Sequence, residues 1–514
     1  MPAQTEVKFD PFFGGFILET LTVGMYGEAR NAIREYVQNG FDSIMRAREL
    51  KLLAPGSGAI KIIMSTDKKS LVIRDDGAGL SVKAAAQTLT RIGASSKSHS
   101  RNAGFRGIGR LAGIVFCDKL TFITKAKGEK QQTVVVFDAR AMRDAISPGK
   151  GSLASAEDVM NTTVKAYIRP DAKVADHFFE VHLEGLRDAP SECTSPRAMK
   201  AFLSQVSPVP YPASFPYRDI LLATARSTDI PIDEVTITVA VGAGAGEPIF
   251  KRYGKSYEFN GGEVELSDCK IEVSPTKRWW AWVGEKAESG AYTDEKVRGL
   301  RIRVRNIQID GTEIVREIFR DFATSSQARF QDYFLGEIFI KPTALIPNAR
   351  RDGFEEDNAW RSVRKEVGAV TKTLAKQAYD VSTAGRLSLG AQQDALKKVK
   401  TDFRALKKGG FANVDKAVAL TRSITTYQQR IAKATEAADL ETSAKLTAIG
   451  SEYADLKLEV LKHVGGAAVE LDRERVESDA RDQLISEIMN LLDEQLSPKC
   501  LREVKEILSD YIEE

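Results

Sequence analysis

The stretch from Tyr26 to about Leu53 constrains this chain more than any other. Apolar Ile33, Val37, Phe41 and Ile44 recur at spacings of four, four and three residues, which is the helical period, and APGSG at 54–58 stops the pattern. At about 100° per residue, Ile33, Val37 and Ile44 fall together on one side of the helix, and Glu35, Asn39 and Asp42 fall within about 60° of one another on the opposite side. One face therefore has to bury itself in a core. The other presents a carboxylate, an amide and a second carboxylate in a row.

Around this helix the chain reads as short strands with interspersed helices. AIKIIMS and SLVIRD are strands joined by a turn at Thr66–Lys69, KLTFITKAKG and QQTVVVFDA form a hairpin, and TTVKAYI alternates as a further strand. The irregular alternation predicts an α+β layer rather than a doubly wound sheet. Proline is dense in VSPVPYPASFPY (206–217), which marks a domain seam or an extended arm. VTITVAV, RWWAWVG, RIRVRNIQI and GEIFIKP then predict a second α+β unit. From about 358 the chain is rich in Ala, Leu, Lys and Glu, with no proline before Pro498, and predicts long helices broken at Gly409-Gly410 and Gly465-Gly466. A length of 514 residues suits about three domains of ~150 residues. The expected boundaries are 1–205, 206–357 and 358–514.

Charge and cysteine usage exclude several classes. Lys+Arg is 74 and Asp+Glu 71, a net charge of +3, which leaves no global electrostatic footprint for nucleic acid or an anionic membrane. Cys117, Cys193, Cys269 and Cys500 are far apart and form no CxxC pair, so neither a disulfide scaffold nor a structural zinc site is expected. His99, His177, His182 and His463 are scattered. No apolar run approaches the ~18 residues of a membrane span, and the first residues lack the pattern of a signal peptide. The expected location is the cytoplasm, without a membrane.

Three further segments carry chemistry. IRDDGAGLS (73–81) ends a strand in Asp75, followed by Gly77 and Gly79. A carboxylate there can accept a hydrogen bond from an exocyclic amine such as adenine N6, and the glycines let backbone approach a flat ring. RIGASSKS (91–98) places Ser95, Ser96 and Lys97 in a polar segment. In NAGFRGIGRLAG (102–113), Gly104, Gly107 and Gly109 precede an apolar run, so backbone N–H groups at a helix start could cradle phosphates. The segment is not a P-loop, because GxxxxGK[ST] is absent, and it lacks the strand-to-helix context of a dinucleotide fingerprint.

Taken in this order, the four elements resemble the GHKL (Bergerat-fold) ATPases, the group of heat-shock-protein-90-type chaperones, DNA gyrase B subunits, MutL, MORC proteins and histidine kinases. Glu35, Asn39 and Asp42-Ser43 resemble the box ExxxNxxD[AS], DDGAG at 75–79 resembles DxGxG, and GFRGIG at 104–109 resembles the second glycine box at the hinge of an ATP lid. The resemblance implies an N-terminal Bergerat α/β sandwich that binds ATP and Mg²⁺. It makes Glu35 the general base for water and Asn39 the Mg²⁺ ligand, with Glu35 reaching the metal through water. Asp42, Asp75, Gly77 and Gly79 belong to the nucleotide boxes, with Asp75 on adenine. Lys97 and the backbone of Gly104, Phe105, Arg106, Gly107, Ile108 and Gly109 hold phosphates. Thr162 sits where the family has a threonine in its last core strand, although Asn161-Thr162 replaces Gly-Thr. No histidine precedes Glu35, so the histidine-kinase branch does not fit.

The second unit resembles the heat-shock-protein-90 middle (transducer) domain. In PNARRD (347–352), Arg351 falls on the γ-phosphate-sensing arginine, with Arg350 beside it and Lys341 as the analogue of the gyrase-type lysine. The resemblance implies an ATP hydrolase that acts as a conformational switch. In it, lid closure and homodimerisation control a partner effector protein, with bacterial anti-phage defence as one setting. The alternatives are a MORC- or MutL-like clamp on nucleic acid and an ATP-dependent chaperone. The all-helical region from 358 is expected to serve a partner or dimer contact. Its basic stretch at 397–410 reads as a solvated helix face, and the amphipathic 484–496 reads as core or seam.

Overall fold

The computed structural model describes residues 12–20, 30–93, 109–147, 154–259, 262–309, 311–323, 327–348, 351–436 and 438–464. The chain divides into two compact units, Met1–Tyr379 and Asp380–Glu514.

The first unit opens with α1 (Phe16–Glu19) and α2 (Arg30–Glu49), followed by β1 (Ala59–Met64), β2 (Ser70–Asp75) and α3 (Val82–Thr90). A 3-10 turn at Gly109–Val115 leads into β3 (Lys119–Lys125), β4 (Gln131–Asp138), α4 (Ala139–Ile146), α5 (Ala156–Thr163), β5 (Val164–Pro170) and β6 (Phe178–Glu184). After α6 (Ser191–Thr194), α7 (Pro196–Val206) and α8 (Arg218–Thr228) come β7 (Thr236–Val241) and β8 (Glu247–Pro248). Among the described residues these strands form one sheet in the order β5-β4-β3-β6-β2-β1-β7-β8.

Period-two burial shows which face of the sheet is covered. Ile60, Ile62 and Met64 of β1 and Leu71 and Ile73 of β2 share a core with Ile33, Val37, Phe41 and Ile44 of α2, while Lys61 stays exposed. The apolar stripe read from sequence is thus the stripe that packs. VTITVAV, expected to open the second unit, instead pairs parallel to β1 as β7, with Ile60 beside Ile237. Local alternation identified the strand but could not choose its neighbour.

A separate five-stranded sheet follows. A hairpin of β9 (Ser256–Phe259) and β10 (Gly262–Glu265) precedes β11 (Asp268–Val273), β12 (Trp279–Glu285), β13 (Gly299–Val304) and β14 (Ile307–Ile309). After α9 (Glu313–Phe322), β15 (Leu335–Ile340) completes the order β11-β12-β15-β13-β14. Both faces of this sheet are covered. Trp279, Ala281 and Val283 pack with α9 and with α10 (Asn358–Leu387), while Trp280 and Trp282 pack among Tyr211, Phe215 and Tyr253. RIRVRNIQI, read as one strand, is a hairpin turned at Arg305 and Asn306, both left-handed at φ 52° and 64°. That pair of angles matches the right-handed twist of the flanking strands. Asn306 Nδ2 donates to Asp233 O at 2.8 Å, and the Arg305 guanidinium meets the Asp233 carboxylate and lies 5.4 Å from the Phe41 ring of α2.

The middle of this sheet holds a fully buried ionic cluster. Glu337 accepts from Lys251 Nζ at 2.7 Å and pairs with Arg303 and the Tyr211 hydroxyl. Arg303 also donates to Gln205 O at the end of α7 at 2.8 Å. Cys117, Cys193 and Cys269 are buried and unbridged.

In the second unit, α11 (Leu389–Lys408), α12 (Val414–Glu436) and α13 (Leu440–Val464) share a core of Leu396, Phe403, Ile424, Leu446 and Tyr453. The expected break at Gly409-Gly410 is present, with Gly410 and Phe411 left-handed. Lys400 and Lys407 of the basic stretch meet Glu452 and Glu459 of α13, as a solvated face with cross-helix pairs would. Gly465-Gly466 and 484–496 lie outside the described residues. No described helix is long and apolar enough to cross a membrane.

Candidate nucleotide site

The polar face of α2 is buried, which an ordinary solvated helix face would not be. Glu35 is 8% exposed, Asp42 is 3% exposed, and Asn39 is half-buried. The 3-10 turn that starts at Gly109 lies against Glu35. A Cβ at 109 would stand 2.1 Å from Glu35 Oε2, so only glycine lets the carboxylate occupy this position. Tyr36, the next residue of α2, fastens that turn: its hydroxyl donates to Arg110 O at 3.1 Å and accepts from Gly113 N at 2.9 Å.

From the other side comes Arg351. Its Nε stands 3.6 Å from Glu35 Oε1, and Arg351 is 7% exposed. The segment that carries it is a closed loop. Pro347 and Phe354 form an antiparallel bridge, Asn348 N donates to Gly353 O at 3.0 Å, and Glu355 N donates to Ile346 O at 2.8 Å. Across the loop Asn348 Nδ2 donates to Asp352 Oδ1 at 2.6 Å, and Phe354 packs on Trp360 of α10 with ring centres 4.9 Å apart. Arg351 itself is left-handed at φ 56°, a costly conformation for a residue with a Cβ, and such strain persists where surrounding contacts over-determine it. Lys341, another of the three candidate sensors, pairs with Asp229 at 3.2 Å.

The opposite end of the site is the turn after β2. Asp75 is buried, and its Oδ1 accepts from Gly77 N at 2.9 Å. Gly79 has φ +64°, and a Cβ there would lie 1.9 Å from Lys125 O, so the turn needs glycine on both counts. Two residues that the sequence reading did not single out hold this turn. Thr124 Oγ1 accepts from Leu80 N at 2.9 Å and donates to Phe178 O at 3.0 Å, and the His177 ring meets Gly77 O at 2.6 Å. The alternation in FFEVHLE was the available signal for β6. His177 precedes that strand and is one of four scattered histidines with no motif around it.

Thr162 is a correction. It lies on α5 and not in a strand, is exposed, and donates to the carbonyls of Asp158 and Val159. The strand that follows it, β5, is the sheet edge, separated from β2 by β4, β3 and β6, or about 19 Å at the usual strand spacing. Lys97, Gly104, Phe105, Arg106, Gly107, Ile108 and Arg350 lie outside the described residues.

The fold is a mixed α+β domain in which the buried acidic face of α2 abuts the turn that starts at Gly109. Residues 27–163 match the family model described as histidine kinase-, DNA gyrase B- and HSP90-like ATPase, so this segment is a GHKL domain. The match takes in Glu35, Asn39, Asp42, Asp75, Gly77, Gly79 and Gly109, and ends before β5; Arg351 and His177 stand outside it. No curated protein matches the chain.

Proposed function

We propose that the protein binds ATP with Mg²⁺ at this site, hydrolyses it to ADP and phosphate, and uses the cycle as a conformational switch. The carrying observation is the buried pair of Glu35 and Arg351, which brings a carboxylate and a guanidinium from segments more than 300 residues apart within 3.6 Å of each other. A base and a cation on one spot are what attack of water on a terminal phosphoryl group requires.

In this reading Glu35 accepts the proton of the attacking water, and the turn at Gly109, held by Tyr36, keeps the carboxylate in place. Arg351 leaves Glu35 for the γ-phosphoryl oxygens. That move frees the base and stabilises the charge that builds on those oxygens. Asp75 accepts from the adenine amine. Asn39 fits a Mg²⁺ ion because it supplies a neutral oxygen on the helix face beside Glu35. Among the described residues no cluster of three or more His, Cys, Asp or Glu forms a cage of its own, and Mg²⁺ characteristically takes one or two protein ligands and fills the rest with water and phosphate. The ion would neutralise phosphate charge.

The proposal extends to a homodimer whose closed state is read by a partner protein through the helical region. That extension rests on the family resemblance. The test is phosphate release from ATP and Mg²⁺. Glu35→Gln should reduce it by at least about 100-fold while ATP binding is kept. Turnover equal to that of the unaltered protein would overturn the reading.

A further inference from the structure

The turn that carries Asp75 and Gly77 is fastened by a histidine just ahead of the neighbouring strand, and the chemistry of that contact is determined. Gly77 O can only accept, so the 2.6 Å contact requires His177 Nδ1 to carry the proton and donate it. In the β2–β6 register Asp75 faces Phe179. His177 lies just ahead of β6, two residues before Phe179, and Asp75 shares its face of the sheet with Leu71, Ile73, Val181 and Leu183 in the core under α2. Gly77 is thus held at both of its polar atoms: its carbonyl by His177, and its N–H by Asp75 Oδ1 at 2.9 Å. Thr124 holds the far end of the turn through Leu80 N.

We propose that His177 is a positioning residue for purine recognition: by pinning Gly77 it fixes the Asp75 carboxylate in the direction that selects a 6-amino purine over a 6-oxo purine. This rests on the nucleotide-site reading above and adds a residue beyond the family match. A 6-amino group donates to a carboxylate and a 6-oxo group cannot, so discrimination depends on how firmly the acceptor is aimed. An acceptor free to swing, or to take up a water, loses that discrimination.

The test compares His177→Phe, which keeps an aromatic ring and removes the donor, with His177→Asn, whose Nδ2–H can stand in for Nδ1–H. Dissociation constants for ATP, GTP and inosine triphosphate, with KM and kcat for ATP, are measured on the full chain, alongside Asp75→Asn as the reference loss. His177→Phe should weaken ATP by about 5- to 10-fold and narrow the ATP-to-GTP preference, with the loss in KM rather than kcat. His177→Asn should restore most of both. If the preference is unchanged in His177→Phe, or Asn fails to restore it in a protein that melts normally, the proposal is overturned. An unaltered protein that binds no ATP would sink the nucleotide-site reading itself, and so separates the two failures.

Discussion

If Arg351 neutralises Glu35 before nucleotide arrives, then removing the carboxylate should release the arginine for phosphate, and the gain should vanish when the arginine is also gone. The pair stands at 3.6 Å. At that separation and an effective dielectric of about 20, the attraction is about 4.6 kcal/mol before desolvation. Both side chains are nearly buried, so much of that is offset by the cost of keeping them out of water. The distance is also too long for a hydrogen bond to add to the charge term. A surviving coupling of about 1–2 kcal/mol is the expected range for such a pair. Glu35→Gln should therefore tighten ATP, and the tightening should be about 5- to 30-fold larger with Arg351 present than in an Arg351→Met background. Removal of charge repulsion between Glu35 and phosphate contributes in both backgrounds, and the double-mutant cycle cancels it. The assay is calorimetric titration of ATP into the four proteins at fixed Mg²⁺ and salt, with single-turnover phosphate release in parallel. Equal tightening in the two backgrounds would refute the claim that Arg351 rests on Glu35 and must leave it.

Gly109→Ala places a methyl group 2.1 Å from Glu35 Oε2, so phosphate release should fall by about 100-fold through a displaced carboxylate, with little change in melting; unaltered turnover would contradict the position given to Glu35. Glu337→Gln strands Lys251 and Arg303 in the core, and chemical denaturation should register a loss of about 3–5 kcal/mol. Burial alone would raise the Glu337 carboxyl, but Arg303 and Lys251 outweigh it and hold it at about 2, below its ordinary 4.5. Its contribution is therefore full above pH 4.5 and lost as pH falls toward 2, and the Gln variant should lose less stability over that window. Thr162→Ala, on an exposed helix position, should leave ATP affinity within about 2-fold; a larger loss, measured by the same titration, would mean that the strand order misplaces it.

Much of the core around α2 and the first sheet was legible because its determinants are local. The stripe Ile33, Val37, Phe41 and Ile44 specifies both a helix and its buried side, and so leaves Glu35, Asn39 and Asp42 on the other. The Asp75–Gly79 turn announces itself because left-handed φ at 79 and backbone contact with Lys125 admit no side chain. Asn-Gly or Asp-Gly chemistry would have announced the β13–β14 turn in the same way. Arg305-Asn306 carries no such signal, and its left-handed pair is held by distant Asp233 and Phe41.

What the sequence by itself determined is that α2 is a helix with Glu35, Asn39 and Asp42 on one face, that the main strands alternate, and that 75–79 is a glycine turn, since periodicity and backbone sterics act over a few residues. Only the tertiary structure decided that β7 joins the first sheet, that β6 rather than β5 lies beside Asp75, that His177 instead of Thr162 reaches the glycine turn, and that Arg351 instead of Lys341 stands on Glu35. The reason is physical: an alternating strand satisfies its own pattern beside many neighbours, and an exposed-looking arginine or histidine carries no mark of its partner. The choice is made by side chains from remote segments competing for one buried position.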